Sequence, residues 1–286
     1  MIYIGTAGFS YADWKGVFYP ERLGTRDMLE FYAARFPVVE VNSSWYAIPP
    51  PSRFESMARR TPEGFRFVVK AYQGITHDAP GSPEDFRSFL RSLRPLEESG
   101  KLAAVLAQFP WGFRNSPENR LYLEHLREMM EERPVVVEFR NQQWVEEATW
   151  ELLRRLRLAF CCVDEPRLKG LVKPLAVYTA EPAYVRFHGR NSQTWWDRQR
   201  ESWERYDYLY SREELEEWRD KVGELASRAR DVYLIFNNHY RGQAVRNARM
   251  MAGLLPPEAV APLGEDGEGG REGEDGTGTG FTLFEG

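Results

Sequence analysis

Short runs of apolar and β-branched residues alternate along the chain with longer segments in which apolar residues recur at helical spacing. The runs predict eight strands, at residues 2–6, 38–42, 65–71, 103–109, 135–140, 160–164, 183–188 and 232–237. The longer segments predict helices at 26–36, 52–60, 83–96, 118–132, 146–156, 212–227 and 242–255, several of them opened by Ser, Thr or Pro. The stretch 165–182 has neither pattern and reads as a loop.

The order of these elements predicts one closed barrel. Strands that alternate with helices at intervals of about 30 residues pair in parallel through right-handed crossovers. Eight such units favour an α/β fold with a single (β/α)8 TIM-like barrel over an open doubly wound sheet. No Gly-x-Gly-x-x-Gly motif follows the first strand and no Walker-type Gly-Lys-Ser/Thr occurs, so nucleotide-binding folds lose their main support. We assign residues 1–263 to the barrel.

Residues 264–286 differ in composition from the rest of the chain. They are rich in Gly and carry seven acidic residues against one basic residue, Arg271. Such a segment buries too little apolar area to offset the entropy lost on ordering, so we expect a disordered acidic tail. The formal net charge is -5, but the body without this tail has 37 basic and 36 acidic residues. Any anion must therefore be bound by a local cluster of cations.

Composition also bears on location and on redox chemistry. With 42% hydrophobic and 28% charged residues, the chain is typical of a globular protein, and no apolar run approaches the roughly 18 residues that span a bilayer. The first residues lack the basic flank and cleavage site of an export signal. We expect a cytoplasmic protein with no membrane partner. The adjacent Cys161 and Cys162 are poorly placed for a mutual disulfide and read as buried filler.

Charged residues alternate with apolar residues near the ends of several predicted strands. Because side chains alternate along a strand, Glu40 and Asn42 share the face opposite Val39 and Val41. The same alternation selects Lys70, Glu138, Arg140, Arg186 and His188, and the other strand ends add Gln108, Asp164, Asn237 and Asn238.

These polar residues are expected to point into the barrel or its mouth, since the apolar set must face the helices. The carboxyl ends of the strands form the active face of such barrels. A buried charge is costly unless it is paired. Two interpretations therefore stay open: a functional site built from several strands, or a structural network that only fills the barrel.

Tryptophan is concentrated in the predicted loops that follow the strands. Aromatic faces stack on sugars and nucleobases, and a stacked base contributes about 1–3 kcal/mol. The alternative is that these rings cover long loops and form small cores. The loop tryptophans are Trp14, Trp45, Trp111, Trp144, Trp195, Trp196 and Trp203, of which we take Trp14, Trp45 and Trp144 as candidates for ligand contact.

Several motifs in fixed order carry a resemblance to a known family. They are IGTAGFSY from residue 4, VEVNSSWY from 39, FVVKA from 67, QFP from 108, VEFR from 137, VRFHGR from 185 and FNNH from 236. Over about residues 2–252 the chain resembles the DUF72 (YecE-like) proteins. This resemblance implies a barrel of the TIM type and supplies no reaction, because the family has no settled activity.

The leading functional hypothesis is that the mouth binds a phosphorylated or nucleic-acid-type anion, with hydrolysis as an open extension. Charge-assisted contacts to phosphate oxygens would come from Lys70, Arg140, Arg186 and Arg190. His188 is the candidate acid or base, because it is a histidine late on a strand.

Two other classes remain open. A glycosidase would use Glu40 and Glu138 as paired carboxylates, and a scaffold would use the polar ring for architecture alone. A metal-assisted site built from Glu40, Glu138, Asp164 and His188 is disfavoured, because such sites generally use more histidines than the 4 present. We assign no metal or cofactor, and the sequence does not indicate an oligomeric state.

Overall fold

Eight strands pair in parallel in chain order, and the last strand returns to the first to close a barrel. The computed structural model describes residues 1–78, 81–197 and 204–265. The strands are β1 (Ile2–Ala7), β2 (Val38–Val41), β3 (Arg66–Lys70), β4 (Leu102–Gln108), β5 (Val135–Glu138), β6 (Leu158–Asp164), β7 (Ala183–Phe187) and β8 (Val232–Phe236). The predicted TIM-like barrel is confirmed, and each strand lies within about two residues of its predicted bounds.

Helices surround the barrel and connect most of the strands. In the described residues they are α1 (Met28–Ala33), α2 (Ser43–Tyr46), α3 (Pro51–Arg59), α4 (Gln73–Thr76), α5 (Pro83–Glu98), α6 (Pro117–Met130), α7 (Glu147–Arg155), α8 (Arg212–Glu216), α9 (Arg219–Arg228) and α10 (Gln243–Ala252). The helix predicted at 212–227 is two helices, α8 and α9, and the buried Trp218 lies between them. Residues 165–182, between β6 and β7, contain no helix, as predicted.

The inside of the barrel is filled in layers that become more polar toward the carboxyl ends of the strands. At the amino end, the rings of Tyr3 and Tyr233 stack with centroids 5.0 Å apart. Gly5 is required nearby, because a Cβ there would lie 2.1 Å from the carbonyl oxygen of Val38. Tyr184 occupies the next level, and charged side chains lie above it. The apolar layers thus hold the charged groups at the end where barrels of this kind carry chemistry.

The outer face of the strands packs on the helices. Val39, Val69 and Val137 are fully buried there, which fits the predicted alternation. The predicted tail at 264–286 falls outside the described residues except for Gly264 and Glu265, and Gly264 donates its backbone N–H to the Arg35 carbonyl at 3.1 Å. No helix in the described part of the chain is both long and apolar enough to cross a bilayer.

Candidate functional site

Arg186 on β7 occupies the centre of the barrel and binds two carboxylates. Its Nε and Nη2 donate to the two oxygens of Glu40 at 2.9 and 2.6 Å, and Nη1 donates to Oε2 of Glu138 at 2.6 Å. Tyr184 donates a further hydrogen bond to Glu40 at 2.8 Å. All four side chains are buried. The charge of the guanidinium is therefore balanced by protein carboxylates, as a buried charge requires.

Arg140 extends this arrangement from β5 toward solvent. Its Nε lies 2.7 Å from Glu138 Oε1, and its Nη1 lies 3.2 Å from Oε2 of Glu165. Its side chain keeps 13% of its surface exposed, whereas both glutamates are fully covered. We call Glu40, Glu138, Arg140 and Arg186 the inner ion network. Arg140 is its solvent-facing member.

The two glutamates next to Arg140 differ in protonation. Burial opposes ionisation of Glu138, but Arg140 and Arg186 together outweigh it and hold its pKa well below the usual range. Burial dominates at Glu165, where the attraction of Arg140 is too small to compensate and the pKa rises to about 8. Glu165 is therefore mostly neutral at pH 7, and we treat its contact with Arg140 as a hydrogen bond more than as an ion pair.

His188 lies beside Glu138 at the top of β7. Its Nε2 is 3.2 Å from Glu138 Oε1, and its Nδ1 is 3.1 Å from Nδ2 of Asn237. If Asn237 donates to Nδ1, the proton of the neutral ring lies on Nε2 and faces the carboxylate. Burial and the nearby Arg140 lower the His188 pKa to about 3. The imidazole is therefore neutral at physiological pH.

Lys70 ends β3 and has different surroundings from the arginines. Its Nζ donates to Oε1 of Gln108 at 2.9 Å and lies 5.1 Å from the ring centroid of Trp45. It forms no salt bridge with any carboxylate among the described residues. Burial and the neighbouring Arg186 lower its pKa to about 8.

The open end of the barrel combines these groups with further polar atoms and rings. Asn42 carries a buried Oδ1 that has no hydrogen-bond partner in the described structure. The ring of Trp45 packs against His77 on one side. The guanidinium carbon of Arg140 lies 5.8 Å from the centroid of the Trp195 ring. We call this region the mouth, defined by Asn42, Trp45, Lys70, Gln108, Arg140 and Asn237.

The sequence profile described as "Protein of unknown function DUF72" matches residues 3–267, which include the inner ion network and the mouth. The chain belongs to the DUF72 family. The resemblance inferred from the motifs is confirmed, and the family description states no activity. What this DUF72 protein does must therefore be argued from its own geometry.

Three relatives cover about nine-tenths of this DUF72 chain, and a fourth matches a shorter part of it. UPF0759 protein YunF of Bacillus subtilis (strain 168) is 37% identical over 273 residues, or 90% of this chain and 96% of YunF. UPF0759 protein YecE of Escherichia coli (strain K12) is 38% identical over 79 residues, or 28% of this chain and 26% of YecE. A DUF72 family crystal structure from Thermotoga maritima MSB8 has a TM-score of 0.82 at 43% identity, covering 89% of this chain and 98% of that one. One from Enterococcus faecalis V583 has a TM-score of 0.80 at 31% identity, covering 89% and 95%.

Two predicted mouth residues of the DUF72 chain, Asp164 and Arg190, lie outside the barrel wall. Asp164 accepts hydrogen bonds from Nε1 of Trp218 and from the Tyr210 hydroxyl, both at 2.8 Å. Arg190 binds Asp164 at 2.9 and 2.8 Å and also reaches Glu217. The prediction placing them in the ring was wrong, because Asp164 points to the helix side of β6. These five residues form what we call the outer cluster.

Three further residues that were predicted to contact a ligand pack inside the protein instead. Asn238 donates to the Tyr208 carbonyl and to Asn247 on α10, so it faces away from the mouth. Trp14 and Trp144 are fully buried, and Trp144 stacks on Phe139 with centroids 4.3 Å apart. Of the three candidate tryptophans, Trp45 alone stays partly exposed at the mouth. Trp203 lies outside the described residues.

Sequence reasoning missed Glu165 and Tyr184, which both touch the inner ion network. Tyr184 lies two residues before Arg186 on β7, so the alternation that selected Arg186 also selects it. Glu165 directly follows the end of β6 and was assigned to a loop. Among the described residues, no three His, Cys, Asp or Glu side chains group closely enough to hold a metal ion. The four-ligand set considered above is divided, since Asp164 lies in the outer cluster.

Proposed function

We propose that the mouth binds a small anionic ligand, with a phosphate or carboxylate group held by Lys70 and Arg140. The observation that supports this proposal most strongly is the lysine itself. Its ammonium forms no salt bridge in the described part of the chain, and its close partners are a neutral amide and an aromatic ring. A buried cation without a counter-charge is costly, and a bound anion would supply that charge.

The balance of charge around the mouth points the same way. Lys70, Arg140 and Arg186 provide three cations, and the arginine-bound Glu40 and Glu138 provide two carboxylates. Glu165, with its pKa near 8, adds little negative charge at pH 7. A surplus positive charge at the mouth attracts anions. Asn42, with its unused Oδ1, could accept a hydrogen bond from a hydroxyl of the same ligand.

A small ligand fits the surface better than a nucleic acid segment does. Binding along a phosphate backbone needs a row of uncompensated Lys and Arg side chains. Here many exposed arginines are paired with glutamates of the same or the next helix, for example Arg59 with Glu55 and Arg155 with Glu124. We therefore restrict the proposal to a small molecule.

The geometry favours binding over hydrolysis by the predicted groups. A His188 with a pKa near 3 is a weak base, and near neutrality it lacks the protonated imidazolium form that could act as a general acid. The glycosidase alternative has a related difficulty, since a general acid needs a raised pKa and that of Glu138 is lowered. Glu40 and Glu138 are moreover buried on one guanidinium.

Binding of inorganic phosphate, measured by calorimetry and by thermal shift, tests the proposal. Lys70→Gln should weaken binding about 10- to 100-fold, because a charge-assisted hydrogen bond contributes about 1.5–3 kcal/mol. The variant should stay folded, since no buried carboxylate depends on this lysine. Lys173→Gln, which removes an exposed lysine, should bind phosphate as the wild type does. Affinity should also fall as salt is raised.

If phosphate and small carboxylates leave the melting curve of the wild type unchanged, the polar mouth is architecture and the proposal is wrong. Equal binding by wild type and Lys70→Gln would place the anion elsewhere. Loss of binding in Lys173→Gln would show a general effect of surface charge.

A further inference from the structure

Lys101 is a second lysine that is shielded from water. Comparing its hydrogen bonds with those of Lys70 shows what is unusual about Lys70. Lys101 has its Nζ surrounded by three oxygen acceptors: the Ala58 carbonyl at 2.6 Å, and the Thr61 carbonyl and hydroxyl at 2.7 and 3.1 Å. An ammonium has three protons to donate, so this site matches the charged form. Lys70 has one oxygen acceptor, Gln108, which an amine with two hydrogens satisfies equally well.

The electrostatic surroundings of Lys70 also favour the neutral amine. Burial removes the hydration that an ammonium needs, and Arg186 and Arg140 repel a third cation; Glu138 and Glu40 offset these effects only in part, so the pKa of Lys70 is lowered. With a pKa of about 8, about a tenth of the side chain is neutral at pH 7. Desolvation and an adjacent cation are the two means by which proteins turn a lysine into a nucleophile.

We propose that Lys70 is a nucleophile that forms an imine with a small aldehyde or ketone bearing an anionic group. This inference rests on the proposed function, because the anionic group is the one that Arg140 binds there, with Lys70 contributing only in its protonated form. The protonated majority of Lys70 supports binding of the anion, and the neutral minority reacts.

The step balances without another reactant. The lone pair of Nζ forms a bond to the carbonyl carbon while the C=O π pair moves to oxygen, giving a carbinolamine after proton transfer from nitrogen to oxygen. The oxygen then leaves as water, taking the second amine hydrogen, and a C=N bond remains. The net change is amine plus carbonyl to imine plus water.

The position of Lys70 suits this chemistry. It ends β3 at the carboxyl face of the barrel and is partly open to solvent. Trp45 lies against the ammonium and limits the approach of bulk water from one side. Arg140, the solvent-facing member of the inner ion network, would hold the anionic group of the ligand.

Reductive trapping tests the inference on the full chain. The protein is incubated at pH 7 with glyoxylate or with pyridoxal phosphate, sodium borohydride is added, and the modified lysine is located by peptide mass spectrometry. Lys70 should be modified at least about tenfold faster than the exposed Lys173, because a larger share of it is neutral. Lys70→Arg keeps the positive charge and should lose this adduct. Lys173→Arg should keep it.

The outcomes separate the inference from the function on which it rests. Phosphate binding by the wild type with no adduct at Lys70 would overturn the inference and leave the anion site standing. An adduct with uncharged propanal as fast as with glyoxylate, unprotected by phosphate, would retain a reactive lysine and reject the anion site. Modification spread evenly over the exposed lysines would overturn the inference, provided that circular dichroism shows the protein folded.

Discussion

Arg186 shows how a residue with the right chemistry for a ligand can be fully committed to the fold. Each of its three nitrogens already donates to Glu40 or Glu138, and its charge is balanced by these two carboxylates. Lys70 differs, because its ammonium forms no salt bridge among the described residues and donates to the neutral Gln108. Among cations at one end of a barrel, the unpaired one is therefore the better candidate for binding.

Replacing Arg186 should therefore lower the free energy of unfolding. Arg186→Ala leaves the buried Glu40 without its counter-ion and Glu138 with Arg140 alone, and breaking a buried pair in this way costs about 3–5 kcal/mol. Urea unfolding followed by circular dichroism measures this loss. Arg212→Ala is the control, since Arg212 pairs with Glu216 on the exposed face of α8 and should contribute under about 1 kcal/mol. Similar stability of the two variants would contradict a structural role for Arg186.

His188 should make stability depend on pH in the acid range. Its folded pKa of about 3 lies below the usual 6.5. Between these values the unfolded chain binds a proton that the folded chain does not, so stability falls as the pH falls. The slope is at most about 1.4 kcal/mol per pH unit for one group. His188→Asn should flatten the profile of unfolding free energy between about pH 6.5 and 3.

Glu165 makes stability depend on pH in the opposite direction. Its contribution must therefore be the same in the wild type and in the His188 variant. Its folded pKa is raised to about 8, so the folded state binds the extra proton and loses stability as the pH rises from about 4.5 to 8. This contribution is present in both proteins and cancels in their difference. Parallel profiles for wild type and His188→Asn would show that the imidazole is not held neutral.

Alternation along the strands located the inner ion network because each charged residue has an apolar neighbour that fixes the face. It worked for Glu40 in β2 and for Arg186 in β7. It failed at Asp164, because the six residues before it in β6 form an unbroken apolar run that does not distinguish inside from outside. The sequence also could not show which arginines bind the buried carboxylates, because the ion pairs join strands that are far apart in sequence.

At the scale of elements, the connection between β6 and β7 shows how a strand is covered without a helix. The Thr179 side chain accepts from the Phe160 N–H at 2.8 Å and donates to the Leu158 carbonyl at 2.7 Å. Val177 places its backbone N–H 3.3 Å from Cys162 Sγ. This extended segment therefore packs along the outside of β6, where other strands have a helix. The sequence predicted the missing helix, but its Thr and Val side chains gave no indication of this packing.

The start of α5 offers a local test of how one helix end contributes to stability. Ser82 accepts a hydrogen bond from the Asp85 N–H at 3.1 Å, and the Asp85 carboxylate accepts from the Ser82 N–H at 3.2 Å. Ser82→Ala removes half of this reciprocal cap and should cost about 1 kcal/mol in urea unfolding.

Ser88→Ala is the matched control in the same helix. Ser88 contacts Glu84 on the exposed face, and alanine is the better helix former, so this change should be neutral or slightly stabilising. An equal loss in both variants would mean that the cap is not the cause.

At the scale of the whole molecule, the two ends of the barrel have different tasks. The carboxyl end carries the mouth, and the amino end is closed by both termini of the described structure. Val232 donates to the Met1 carbonyl at 2.9 Å, and Ala261 donates to the Ile2 carbonyl at 2.8 Å. Ile2 also forms a parallel bridge with Val260. The segment after α10 therefore pairs with the edge of β1 that faces away from β8, ahead of the point where β1 pairs with β2.

Two truncations test the role of this segment against that of the acidic tail. Deleting residues 258–286 removes the pairing with Ile2 and the buried Ala261, which should lower Tm by about 4 °C or more, since each 1 kcal/mol shifts Tm by about 2–4 °C at this size. Deleting residues 266–286 removes the Gly-rich acidic stretch alone and should leave Tm within about a degree. Calorimetry of both chains checks the contrast. A large drop in the shorter deletion would mean that the apolar FTLF sequence at 281–284 docks on the barrel. No drop in the longer one would mean that β1 needs no support from the segment after α10.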